Sequence, residues 1–452
     1  PAAIGWPAKG MRPALPSRRR ISPLRFPKKR STLDRVDRLR SGETSLTDHH
    51  ALGRRPAAGA TNADRPARRL HSWWGLAALL VILVPLLGPP AIAVAAPLAH
   101  LWDFNTTSAL PQSLVADRNG KPYLYLAQKD GGLVVLELPQ AAGAPKAVAQ
   151  LPITALGGLH AMNLVQEGDR LFVALGDLFA AAGSKAGLAV IDIGQPTQPR
   201  LMSLWTSASK LKGSAGLLVS GRTAYLAAMR AGVFIFDVSN PRAIVPVSSI
   251  LPDVNFPRPN PNSVQHPNAR GVALKDNLLF VAYDSGGIRV IDVADKAKPR
   301  EIARYINSAA KNKQQAYNNI VIDGRLAYAA VDYCGLEILD IGDPQAIRQV
   351  GWWNPWRCET LSNNWFNSPG HTNQLVLDAN RRLVFLSAGD SELLVVDVKD
   401  PARPALAGQF GAPKNGRGTW GLAVTDRNVF LTYIKALIPF RGGWSGVTAL
   451  AR

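Results

Sequence analysis

One strand–turn–strand phrase, repeated down the chain, constrains the fold more than any other feature of the sequence. Its clearest copy runs from Leu278 to Pro299. An apolar run ending in Tyr283 meets an Asp284-Ser285-Gly286-Gly287 turn, then comes the strand Ile288–Val293, then a polar turn closed by Pro299. Apolar, β-branched runs punctuated by Asp, Gly and Pro read as hairpins. Matching third-strand sequences stand at Leu133–Leu138, Leu188–Ile193, Val233–Val238, Leu336–Ile341 and Leu393–Val398, with a degenerate copy between Val429 and Leu450. An acid closes that strand at Glu137, Asp192, Asp237, Asp292, Asp340 and Asp397, and Thr448 is assigned to the same place in the last copy.

Successive closing residues lie 55, 45, 55, 48, 57 and 51 positions apart, with no helical pattern between them. A period of that length built from short strands predicts the blades of a propeller rather than a helical solenoid. The expectation is an all-β fold: a seven-bladed β-propeller of four-stranded antiparallel blades. Inner strands are expected to begin near Met162, Ala215, Gly271, Asn319, Gln374 and Gly421, and outer strands after each Pro turn. The seventh copy ends at Arg452 without an outer strand of its own, whereas Leu98–Phe104 reads as an outer strand without a blade. The ring is therefore expected to be closed by this N-terminal strand in the last blade, which removes two exposed edges.

These repeats resemble the LVIVD-repeat family, whose members are exported or surface-associated β-propellers of bacteria and archaea. The resemblance rests on the hydrophobic-Asp-hydrophobic strand ends and on the Asn240-Pro241, Asp343-Pro344 and Asp400-Pro401 turns that follow them. It implies a propeller and export. It carries over no catalytic residue, because the family has no common catalytic motif.

Charge divides the chain in two. The net charge of +20 resembles a nucleic-acid signal, but residues 1–70 hold 17 Lys/Arg against 5 Asp/Glu, and the remainder is only mildly basic. No nucleic-acid partner is expected for the propeller. Residues 1–70 are expected to be a basic disordered tail, and whether they are translated stays open. Residues 71–95 read as a signal peptide or membrane anchor: Arg68-Arg69 ahead of it, an apolar run from Gly75 to Leu87, and an Ala93-Val94-Ala95 end. A spanning helix needs roughly 20 apolar residues, and Pro85, Pro89 and Pro90 interrupt this stretch. Either form places the propeller, residues 96–452, outside the cytoplasm, in the periplasm or at the cell surface. Membrane contact is expected only through an uncleaved N-terminal segment.

Export bears on the two cysteines, Cys334 and Cys358. In an oxidising compartment a disulfide is expected, worth on the order of 3 kcal/mol for a loop of this length. The alternative is two unrelated buried thiols.

Three groups of residues are candidates for a site. The strand-end acids are expected to cap turns through backbone N–H groups. Starts of inner strands gather polar side chains toward the mouth of the central channel: His160, Asn163, Arg270, Asn319, His371, Asn373 and Trp420, with Arg230 from a hairpin turn. Such a ring suits an anionic or sugar-like ligand, with a solvated rim as the plain alternative. Trp356, Trp365 and Phe366 lie in an aromatic-rich insertion and form a candidate stacking platform, or else cap a blade. Acids in the hairpin turns, Asp284, Asp332 and Asp390, are weak candidates for a hard cation such as Ca²⁺; no cofactor is otherwise called for.

No Gly-x-Ser-x-Gly elbow, phosphate-binding glycine loop, His-Glu-x-x-His or haem motif occurs. The sequence thus favours a binding or interaction module for an envelope or extracellular glycan, peptide or small anion. The alternative is a periplasmic hydrolase or lyase working at the central channel.

Overall fold

The computed structural model describes residues 98–452 apart from 141–142, 181, 262–265, 311–316, 361–364 and 438. The expected tail and signal segment, residues 1–95, lie outside the described residues. Among those described, no helix is long and apolar enough to cross a membrane.

Twenty-eight strands form seven four-stranded antiparallel sheets. Six sheets take their strands consecutively: β2–β5 (Ser113–Leu151), β6–β9 (Ala161–Thr206), β10–β13 (Gly216–Ile250), β14–β17 (Gly271–Tyr305), β18–β21 (Tyr317–Trp353) and β22–β25 (Gln374–Phe410). The seventh runs β1-β28-β27-β26, so Ala99–Asn105 pairs with Gly446–Ala451 beside Asn428–Tyr433 and Thr419–Val424. Inner strands touch their neighbours all the way round, β26 meeting β2, which closes the ring. The fold is a seven-bladed propeller sealed by its N-terminal strand.

Why the third-strand phrase is so apolar follows from blade packing. A blade is covered on both faces, so its two middle strands are buried without alternation, as in Leu393–Val396 and Leu336–Asp340. Outer strands are exposed or half-buried for most of their length and carry one device in common. Every outer strand skips one residue in its pairing: Val148, Met202, Val247, Ile302, Val350, Ala407 and, in the closing strand, Leu101. A β-bulge at a fixed place adds local twist, and its presence in β1 marks that strand as a true member of the series.

Register corrects one assignment. Asp397 pairs with Leu383, the first residue of its neighbour, and the residue so paired in the last blade is Ala451, opposite Asn428. Thr448 therefore sits three positions earlier in the strand, where Oγ1 donates to Asp103 of the closing strand at 2.6 Å. With no acid to mark the strand end, the sequence pattern slipped. Arg417 reaches Asp103 as well, at 3.0 Å, and Trp444 Nε1 donates to Asn105.

Cys334 and Cys358 are bonded to each other and both are buried. They pin the insertion that follows β21 to the hairpin of the fifth blade.

Candidate functional site

Turns explain themselves first. The strand-end acids accept backbone N–H groups two residues on: Asp192 from Gly194, Asp237 from Ser239, Asp292 from Ala294, Asp340 from Gly342 and Asp397 from Lys399, all at 2.8–3.0 Å. Asn240, Asp295, Asp343 and Asp400 repeat the arrangement in the following turn. These carboxylates are occupied in reversing the chain.

At the other end of the blades, hairpin turns clamp adjacent blades together. Lys129, Met229, Asp284 and Asp332 all adopt positive φ, at 52°, 53°, 51° and 23°. Each backbone then bridges to the start of the next inner strand, Lys129 to Ala161, Met229 to Ala269, Asp284 to Tyr317 and Asp332 to Thr372. The left-handed conformation costs a non-glycine residue about 1–3 kcal/mol, and four inter-blade bridges set against it. This geometry puts the hairpin turns and the inner-strand starts on one face, around the channel mouth.

A narrow polar throat of about 100 Å³ lies where the inner strands begin, and every blade contributes to it. Gln112, Asn163, Arg270, Asn318, Asn319, Asn373, Gln374 and Trp420 line it. Several amides serve the ring itself. Asn318 Nδ2 donates to the Thr372 carbonyl at 2.9 Å and Asn373 Nδ2 to that of Thr419 at 3.2 Å, each stapling its blade to the next.

Beyond the throat opens a vestibule of about 640 Å³, walled mainly by apolar side chains. Its aromatic wall is a run of edge-to-face ring contacts, Phe179 on Trp420 (5.3 Å between centroids), Trp420 on Phe440 (5.6 Å) and Trp365 on Phe366 (5.1 Å), with His371 behind it bridging Phe440 (5.2 Å) and Trp365 (5.9 Å). Such contacts contribute beyond simple area burial. Leu178, Met229, Tyr333 and Ile434 complete the apolar lining, and Lys212, Arg270, Asp284 and Asp332 supply the charge.

Of the eight residues placed at the mouth by sequence, Asn163, Arg270, Asn319, Asn373 and Trp420 line the throat together. His160 stands at the edge, where Asp177 Oδ2 lies 3.3 Å from its Nδ1 and 3.2 Å from Lys129 Nζ. His371 is fully buried: its Nδ1 is 2.5 Å from Asp332 Oδ1, and Tyr333, Trp365 and Phe440 surround the ring. Arg230 is directed elsewhere, into a separate recess with Pro252, Asp253, His266 and Tyr283. From the aromatic insertion, Trp365 and Phe366 join the vestibule, whereas Trp356 packs edge-on against Trp353 in the wedge between the fifth and sixth blades.

The three hairpin acids have separate partners. Asp332 also accepts Trp365 Nε1 at 3.2 Å, Asp284 accepts Asn268 Nδ2 at 2.8 Å, and buried Asp390 is held by Arg441 at 2.7 Å. Among the described residues no group of three or more His, Cys, Asp or Glu side chains is arranged to hold a metal ion. Burial pushes the Asp284 carboxyl above its usual range, against the pull of Arg270 and Asn268.

Sequence reasoning missed Phe179 and Phe440. Both come from connections much longer than the tight hairpins elsewhere: Gly176–Ala186 in the second blade and Ile434–Ser445 in the seventh. Their length was the available signal. Residues 253–259 of the proline-rich connection after Leu251 are held by two arginines, Arg289 donating to the carbonyls of Asp253, Val254 and Phe256, and Arg304 to those of Val254, Arg258 and Pro259.

Comparison with known proteins adds the family. No curated protein matches the chain in sequence. Among solved structures, the chain is similar to one described as the crystal structure of RRP9 WD40 repeats, with a TM-score of 0.52 and 11% identity over 80% of this chain and 99% of that one. At that identity the likeness concerns the fold alone. A computationally designed protein, Ika8, aligns at a TM-score of 0.44 and 12% identity, covering 78% of this chain and all of its own. Five segments, residues 160–206, 213–251, 267–307, 317–352 and 384–411, match the LVIVD repeat. They fall on the second to sixth of seven blades, and the protein is an LVIVD-repeat β-propeller.

Proposed function

We propose that the protein is an exported module that binds a ligand through its channel-mouth face. The observation carrying this reading is the aromatic vestibule of about 640 Å³ standing over a polar throat to which all seven blades contribute. Concave, largely apolar cavities of this size with a few convergent polar groups are characteristic ligand sites. Export is supported by the charge and apolar pattern of residues 68–96 and by a disulfide suited to an oxidising compartment. An envelope or extracellular glycan, peptide or small anion remains the class of partner, with no role for nucleic acid.

A hydrolase or lyase is the second reading, favoured by the close Asp332–His371 pair behind the vestibule wall. Against it, His371 is wholly buried, and its Nε2 has no hydrogen-bond partner among the described residues. A general base must come within reach of the proton it takes.

The test is equilibrium binding of such candidates to the purified full chain, with Phe179→Ala and Phe366→Ala as variants. Both side chains are substantially exposed, so their loss leaves the core intact. A ligand of the mouth is expected to weaken at least five-fold in each variant. Ligands indifferent to both substitutions would overturn the binding face, and turnover of a bound ligand lost in His371→Ala would favour the enzyme.

A further inference from the structure

We propose that the ligand is an amphipathic carboxylate, its charged head seated on Arg270 at the floor of the vestibule and its apolar part lying along the aromatic wall. This rests on the binding reading above and adds the chemistry of what is bound.

Arg270 is the residue common to throat and vestibule that carries a full charge. It is partly buried, yet its guanidinium makes no hydrogen bond or ion pair among the described residues. Other arginines drawn toward the interior are fully engaged. Arg289 holds Glu301 at 2.8 Å and four backbone carbonyls, and Arg417 holds Asp103. A planar five-donor fork left open at the base of a cavity matches a carboxylate bidentately.

The other charged side chains in the vestibule already have hydrogen-bond partners. Asp332 is held by His371 and Trp365, Asp284 by Asn268, and Lys212 Nζ donates to the Ala180 carbonyl at 3.3 Å. Arg270 acts on Asp284 through space, without an ion-pair contact, so its donors stay unused, which favours a ligand that accepts hydrogen bonds, such as an anion. Small volume at the throat, about 100 Å³, suits a compact head rather than a sugar ring, while the larger apolar space above takes the body. Asn318 adds a second polar constraint. It is 6% exposed, its Nδ2 is committed to Thr372, and its Oδ1 has no partner within the protein. An acceptor left open in the same throat calls for an N–H or O–H beside the carboxylate, as in an acylated amino acid.

N-decanoylglycine, its neutral counterpart N-decanoylglycinamide, and decyltrimethylammonium, each below its micellar concentration, serve as probes in calorimetric titrations of the full chain. The acid is expected to bind at least ten-fold tighter than the amide, and the cation weakest. Arg270→Gln should bring the acid down to the affinity of the amide, while Arg270→Lys, which retains the charge, should restore part of the preference. Equal affinities for acid and amide, tighter binding of the cation, no binding of the acid, or an acid preference that survives Arg270→Gln would each overturn the proposal. Phe179→Ala separates this failure from failure of the site. Equal affinities that fall together in Phe179→Ala remove only the head-group assignment, whereas affinities unmoved by it remove the mouth as the binding face.

Discussion

Glu337 is a buried carboxylate with no ion-pair partner among the described residues. It is completely enclosed between the fourth and fifth blades, where Asn307 Nδ2 donates at 2.5 Å and Tyr317 OH at 3.0 Å. Burial pushes its carboxyl up to about 7 from an ordinary 4.5, with the hydrogen bonds from Asn307, Tyr317 and Tyr305 opposing. Below the lower value both folded and unfolded chains hold the proton. As pH rises from about 4.5 to about 7 the unfolded chain releases it first, so this group's contribution to stability declines across that interval and is lost above it. The decline amounts to about 3 kcal/mol at one pKa unit per 1.36 kcal/mol. Glu337→Gln, which cannot ionise, is expected to flatten the dependence and to be the more stable form at pH 8. Urea denaturation at pH 5 and pH 8 checks it, and an unchanged slope between the two would exclude Glu337 as its source.

At the scale of elements, the insertion after β21 shows how structure and site are coupled. The Cys334–Cys358 bond closes a loop of 24 residues, and Trp352 Nε1 donates to the Cys334 carbonyl at 2.9 Å, so the base of the insertion is fixed to the fifth blade. Trp365 and Phe366 extend from that base into the vestibule. Replacing both cysteines by serine is expected to lower stability by about 3 kcal/mol and to weaken mouth ligands, because two walls of the cavity lose their anchor. Thermal denaturation and a binding titration measure the two effects separately. Elements were also the level most legible in sequence. Buried middle strands and Asp-capped turns are local, so their periodicity survives in one dimension, and the closing strand could be recognised by what the last copy lacked. The vestibule was not legible in the same way. Phe179 and Phe440 come from different blades, and the direction in which Arg230 or Trp356 points depends on the packing between blades. His371 illustrates the limit: its spacing matched that of His160, but the hairpin acid of the neighbouring blade and three aromatic rings bury it.

For the whole molecule, the ring is a set of seven similar wedges, each packed on the next by apolar side chains, and several junctions also carry backbone bridges at the mouth. No single interface is privileged except the one that the closing strand completes. There Trp102 is 9% exposed and packs on Phe430, while Asp103 accepts from both Arg417 and Thr448. Ala99 lies opposite Ala451 in that sheet, so the two extremities of the domain emerge side by side. Where the chain is cut is then a matter of order rather than of shape. A permuted chain, with Arg452 joined to Leu98 by a few glycines and new termini opened in an exposed outer turn such as that at Asp295–Lys298, is expected to assemble the same wheel, checked by its circular dichroism and melting cooperativity. Loss of cooperative melting would mean that the native seam guides assembly rather than merely finishing it.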